Sequence, residues 1–171
     1  MRPTPSAEWE LLEEEAERLL PQMVFEYFAG GAGDESTLRD NRAAFARVKL
    51  RPRMLCAVEE PSLATTALGQ DLAMPVAVAP MAYQRLAHPD GELATASACG
   101  ALGVPVTLST MATASVEEVA SVATGPLWFQ LYVWRDRGAT RALVERAAAA
   151  GASALVVTVD APRLGTRRRD V

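Results

Sequence analysis

A carboxamide and three hydroxyls stand where apolar runs of this chain come to an end. Gln130 lies between Phe129 and Leu131 in the run Leu127–Leu131. Ser109 and Thr110 follow Pro105–Leu108, and Thr158 sits in Ala154–Val159. Polar groups at the carboxyl ends of successive parallel strands are where a (β/α) barrel assembles its active site. Gln130 is the most pointed of them, because an amide within a buried strand needs partners for both its donor and its acceptor side. The hydroxyls of Ser109 and Thr110 also have a plainer explanation, as turn hydrogen bonds to nearby backbone. Ala79-Pro80-Met81-Ala82 closes an earlier run. There Pro80 removes a backbone donor and small Ala82 lets a flat ring lie against the main chain, although such residues also mark ordinary strand exits.

Other side chains could hold or move charge. Tyr27 and Tyr132 are phenols able to bind a carboxylate or an alkoxide, or else core residues with satisfied hydroxyls. Arg167 could clamp a carboxylate through two parallel hydrogen bonds, but within Arg167-Arg168-Arg169 it also reads as part of a solvated face. His88, the sole histidine, precedes Pro-Asp-Gly-Glu and a helix, which makes it a loop or cap residue rather than a general base. Cys56 and Cys99 fit no zinc spacing, so no metal site is expected and reduced thiols are.

The elements that must position these groups come in two textures. From Ser6, a candidate N-cap, a helix is expected to Leu20; Pro21 opens a second over Gln22–Ala29 at its first helical position, and Glu35–Phe45 has helical spacing. Val48–Arg51 reads as a short extended piece. Thr65–Leu68 and Asp71–Met74, joined through Gly69-Gln70, suggest a small hairpin. After Pro75 strand and helix signals alternate. Strands are expected at Val76–Ala79, Pro105–Leu108, Leu127–Leu131 and Ala154–Val159. Helices are expected over Gly91–Leu102, from the capping box Ser115-Val-Glu-Glu118 to about Ala123, and from Asp136 to Ala150. That rhythm suits βα units on a parallel sheet, and the absence of Gly-x-Gly-x-x-Gly after any strand argues against a dinucleotide fold.

Composition narrows the class. A net charge of −4 and a pI near 5.1 argue against a nucleic-acid partner. The acidic amino-terminal segment lacks the apolar region of a signal peptide, and no run approaches the ~20 apolar residues of a membrane span. A cytoplasmic protein without a membrane partner is the expectation.

Six colinear motifs carry a resemblance: Pro21-Gln-Met-Val-Phe-Glu-Tyr-Phe-Ala-Gly-Gly-Ala, Arg51-Pro-Arg-Met-Leu, Ala79-Pro-Met-Ala-Tyr-Gln-Arg-Leu-Ala-His-Pro-Asp-Gly-Glu, Leu108-Ser-Thr-Met-Ala-Thr-Ala-Ser-Val-Glu-Glu-Val-Ala, Phe129-Gln-Leu-Tyr and Thr158-Val-Asp-Ala-Pro-Arg-Leu-Gly. In order and spacing the chain resembles the FMN-dependent α-hydroxy-acid oxidase and dehydrogenase family from about residue 18 onward. The resemblance implies an α/β fold, a (β/α)8 TIM barrel of which this chain holds the amino-terminal helices and about the first four βα units. It implies a leading segment and hairpin over residues 1–74 and half of an FMN-binding barrel over 75–171. It places the main chain of Ala79, Pro80, Met81 and Ala82 against the flavin, with Ser109, Gln130 and Thr158 hydrogen-bonded to its ring, a role for which the Gln130 amide suits the pyrimidine edge. Tyr27, Tyr132 and Arg167 become substrate-binding, and Tyr132 catalytic through the substrate hydroxyl. The substrate is a 2-hydroxy acid, the electron acceptor oxygen or another compound, and the full-length form a homo-oligomer. Met111 stands where glycolate-type members carry tryptophan, and Ala-Tyr83-Gln-Arg-Leu is similar to the hydroxymandelate oxidase branch, so a bulky, mandelate-like acid is expected.

A whole eight-unit barrel takes about 250 residues. The family's histidine base, a lysine near the flavin, a second arginine and the phosphate loops belong to later strands, so these residues alone are expected to be inactive. A non-catalytic half barrel that pairs with a partner chain through its sheet edges is the alternative.

Overall fold

A computed structural model of the protein describes residues 5–56 and 60–170. The chain divides into two compact units, Met1–Ala57 with Arg163–Val171, and Val58–Pro162.

The first unit is helical. Helix α1 spans Pro5–Leu19, α2 Gln22–Ala29 and α3 Ser36–Arg47. Ser6 therefore lies inside α1 rather than at its cap, because the helix already starts at Pro5. Pro21, with ψ of 139°, is the extended N-cap of α2 and not its first helical residue. Glu35 adopts a left-handed φ of 61°, which excludes it from α3; the helix starts one residue later and runs on to Arg47. The carboxyl-terminal segment returns to these helices, where Arg169 pairs with Glu26 (2.9 Å) and Glu35 (2.8 Å).

The second unit holds the sheet. Strands β1 (Thr65–Ala67) and β2 (Gln70–Leu72) pair antiparallel across a Leu68-Gly69 turn. Both turn residues have positive φ, 51° and 75°, the geometry that matches the twist of a two-residue hairpin. Gln70 thus belongs to β2, paired with Ala67, rather than to the turn. Its Oε1 accepts a bond from Trp128 Nε1 at 3.0 Å, which fastens the hairpin to the main sheet.

That sheet is parallel, in the order β3 (Val106–Leu108), β4 (Leu127–Leu131), β5 (Ala154–Val157). The strand expected at Val76–Ala79 shrinks to one bridge between Val78 and Val106. The cause is a shortage of donors: Val76 N–H is spent on the Met74 carbonyl at 2.8 Å, and Pro80 has none. The bridge still sets residues 79–82 beside the carboxyl end of β3. β5 stops at Val157, two residues earlier than expected, although Thr158 N still donates to Leu131 O at 3.1 Å.

Helices α4 (Gly91–Leu102), α5 (Val116–Val122) and α6 (Arg137–Ala149) follow the bridge, β3 and β4 in turn. Gly103, with φ of 65°, closes α4 in a left-handed cap that a side chain would strain. Ser115 and Glu118 make the reciprocal capping box of α5, and Asp136 Oδ1 accepts from Ala139 N at 2.9 Å to open α6. Alternation along the strands sorts two faces. Val106, Leu108, Leu127, Phe129 and Leu131 pack with Ala96, Cys99, Val116, Val119 and Ala147 of the helices into one core. Thr107, Ser109, Trp128 and Gln130 alternate with the core residues, on the opposite face. No described helix is long and apolar enough to cross a membrane.

Candidate functional site

The sheet unit draws Ser109, Gln130 and Thr158 into one hydrogen-bonded row. Gln130 Oε1 accepts from Ser109 Oγ (3.2 Å) and from Thr110 N (3.1 Å), and its Nε2 donates to Thr158 Oγ1 at 2.8 Å. The amide is 2% exposed, so the two-sided pairing that a buried carboxamide demands is met by residues from the neighbouring strand ends. Ser109 Oγ also accepts from Met111 N at 3.0 Å, turning the chain sharply out of β3. The row keeps donors in reserve: Thr158 Oγ1 accepts from Gln130 and retains its own proton, and one Nε2 hydrogen of Gln130 remains for another acceptor.

Thr110, for which a local turn bond was one explanation, instead works across strands. Its Oγ1 donates to Gln130 O at 2.6 Å and accepts from Tyr132 N at 3.2 Å, so it fixes the backbone on which Tyr132 is carried. Tyr132 is 39% exposed just beyond β4. Ala79, Pro80 and Met81 are exposed after the Val78 bridge, and Ala82 is half-buried. Neighbouring strand ends thus line up their polar or small residues along one edge of the sheet. A 440 Å³ cleft lined by Gln70, Pro126 and Ser153 lies at the opposite, amino-terminal end of the strands and takes no part in this edge.

Tyr27 and Arg167 meet within the helical unit. The Arg167 guanidinium carbon lies 5.3 Å from the centre of the Tyr27 ring, and its Nη2 donates to the carbonyls of Tyr27 and Gly30 at the end of α2. A cation there complements the negative end of the helix. Arg167 is accordingly half-buried and ordered by a helix terminus, whereas Arg169 beside it makes the ion pairs with Glu26 and Glu35. Glu35 also accepts from Gly31 N at 3.0 Å; that bond, aided by Arg169, holds its carboxyl below the usual range. His88 lies in the loop before α4, where its Nδ1 accepts from Asp90 N at 3.2 Å. Cys56 is exposed and Cys99 buried, both as free thiols, and burial pushes the Cys99 thiol up.

One polar residue of this region escaped the sequence reading. Glu92, in the first turn of α4, is 2% exposed. The signal for it was faint: a lone acid after Gly91, opening an otherwise Ala-rich helix.

A parallel βα sheet with polar side chains along its carboxyl edge is where a barrel enzyme builds its active site. The chain belongs to the FMN-dependent dehydrogenase family, whose profile matches residues 16–171. It is 56% identical over 162 residues to an L-lactate oxidase of Nostoc sp., a stretch covering 92% of this chain and 44% of that protein. To glycolate oxidase 5 of Oryza sativa subsp. japonica it is 53% identical over 156 residues, 91% of this chain and 42% of the relative. A crystal structure of mandelate oxidase with 3,3-difluoro-2-hydroxy-3-phenylpropionic acid superposes with a TM-score of 0.90 at 47% identity, over 93% of this chain and 48% of that one. Another mandelate oxidase structure, with a C4a-OH-FMN adduct, also gives 0.90, at 46% identity. The chain spans less than half the length of the curated relatives it matches. The fold is the FMN-dependent TIM-barrel oxidase fold, present here as a partial barrel.

Proposed function

We propose that residues 1–171 supply the flavin-ring side and part of the substrate clamp of an FMN-dependent oxidase that converts a bulky, mandelate-like 2-hydroxy acid to its 2-oxo acid. The observation that carries this reading is the Ser109–Gln130–Thr158 row, which lies at the carboxyl ends of three parallel strands with donors to spare. Those donors fit the acceptor atoms of a flavin's pyrimidine edge. The main chain of Ala79–Ala82, exposed as far as Met81 and free of bulky side chains at both alanines, suits the flat face of the ring. The segment 1–74 leads into the barrel and 75–171 forms its first half.

Bound FMN would supply the oxidising chemistry, accepting the α-hydrogen with its two electrons as the hydroxyl carbon becomes a carbonyl. Ser109, Gln130 and Thr158 hold and orient the ring. Tyr27 and Arg167 bind the substrate carboxylate, and Tyr132 donates a hydrogen bond to the substrate oxygen. The proton of the substrate hydroxyl goes to a base outside residues 1–171, since His88 is committed to the loop before α4. Met111, a flexible thioether one residue past Thr110, leaves room for an aromatic side chain on the acid. Oxygen is the acceptor that the oxidases among the relatives support; the protein works in the cytoplasm, as a homo-oligomer.

Titrating the chain with free FMN while following flavin fluorescence tests the assignment. Saturable quenching is expected, with Gln130→Leu weakening it by at least about tenfold, the scale of losing a buried polar contact. Unchanged binding in that variant would sink the reading of the row. Residues 1–171 alone are expected to form no 2-oxo acid from mandelate.

A further inference from the structure

Glu92 is a buried charge that the flavin site as described does not use. Three neutral groups donate to it: Gln84 N at 3.2 Å and Thr113 N at 2.8 Å to Oε1, and Thr113 Oγ1 at 2.6 Å to Oε2. Burying a carboxylate is costly without such bonds. Here burial pushes its pKa up, but the bonds from Thr113 and Gln84 outweigh that and hold the group below the ordinary carboxylate value. Its place in the first turn of α4 adds the favourable end of the helix dipole. An ionised carboxylate is acceptor-only, and so can take several donors at once where no neutral side chain of its size can.

The donors come from two different loops. Gln84 lies two residues past Ala82, and Thr113 four past Ser109. The same loops are laced together elsewhere, by Tyr83 N to Met111 O at 3.1 Å and by Arg85 N to Thr113 Oγ1 at 3.3 Å. Gly91 lets the first turn of α4, and with it Glu92, close against the loop after Val78: it has a φ of 46°, and a Cβ there would sit 2.7 Å from Arg85 Cγ and 3.0 Å from Arg85 N. We infer that Glu92 is a positioning residue of the FMN site, whose carboxylate binds the loop after Val78 to the loop after β3 and so sets the spacing between the Ala79–Ala82 main chain and Ser109. It acts through Gln84 and Thr113, without touching the cofactor. The inference rests on the proposed roles of Ala79–Ala82 and Ser109.

The test is FMN titration of the parent chain, Glu92→Gln, Thr113→Val and the double variant, with amide hydrogen exchange on each. Glu92→Gln keeps the volume but turns one acceptor into a donor facing the Thr113 hydroxyl. It is expected to raise the Kd for FMN about tenfold. Exchange should quicken in residues 79–87 and 109–115 while circular dichroism stays at the parent's value. The double variant should be no weaker than Glu92→Gln, because the two side chains act as one unit. Glu117→Gln, an exposed carboxylate paired with Arg146, should leave FMN binding unaltered. Binding by Glu92→Gln within about twofold of the parent would overturn the inference. So would loosened exchange spread over α4–α6, which would make Glu92 an ordinary core residue. A parent that binds no FMN would instead bring down the flavin reading itself, and this inference with it.

Discussion

Within each of its two units the chain is ordered by different physics. In the sheet unit, Val106, Leu108, Leu127, Phe129 and Leu131 are each at most 4% exposed and interlock with the helices. In the helical unit no described side chain is buried; Phe45 is 84% exposed and Leu50 95%. Its contacts include a set of polar pairs: Arg169 with Glu26 and Glu35, Arg42 with Glu13, and Arg167 on the carbonyls at the end of α2. A core built of burial resists salt and is sensitive to cavities, whereas one built of exposed pairs is the reverse. Within the sheet unit the Ser109–Gln130–Thr158 row is fixed by packing, and within the helical unit Arg167 is held on Tyr27 and the carbonyls at the end of α2 by charge.

The largest expected effect separates the units directly. Phe129→Ala, in the core behind Gln130, should cost roughly 3–5 kcal/mol by urea unfolding, while Phe45→Ala should stay within about 0.5 kcal/mol. Equal losses would erase the distinction. Gly91→Ala comes next, at roughly 1–3 kcal/mol, from its strained φ and the clash with Arg85. A neutral outcome would show that Arg85 gives way at the start of α4 without cost.

Acid offers a finer cut. The Glu92 pKa is lowered on folding, so its contribution is fully present above the ordinary carboxylate value and is lost as pH falls through the folded pKa. The sheet unit should therefore lose stability below about pH 4.5, and Glu92→Gln should flatten that limb in a pH series of unfolding curves. Smallest is the response to salt. Raising sodium chloride to about 1 M should quicken amide exchange around Glu26, Gly31 and Glu35, through screening of Arg169, and leave β3–β5 unmoved. Exchange that slows in salt would mean the helices are packed more like the sheet unit than their exposure suggests.

Much of this was legible in the sequence because the deciding interactions are local. The bounds of α2 and of α4 with its glycine cap, the α5 capping box and β4 were readable, since a cap or an apolar run determines each within a few residues. The strand at Val76–Ala79 was overstated, because its apolar residues say nothing of where the donors of Val76 and Pro80 are spent. Likewise the hairpin turn moved by one residue, as left-handed φ at Leu68 is not a preference that leucine announces.

The sequence by itself determined which chemical groups stand at the strand ends, and its motifs named the family to which they belong. Only the tertiary structure decided their pairing. That Gln130 answers both Ser109 and Thr158, that Arg167 rests on the end of α2, and that Glu92 joins two loops are facts of long-range geometry. The reason is physical: a buried polar group states a need for partners, but which partners meet it depends on the strands that packing brings alongside.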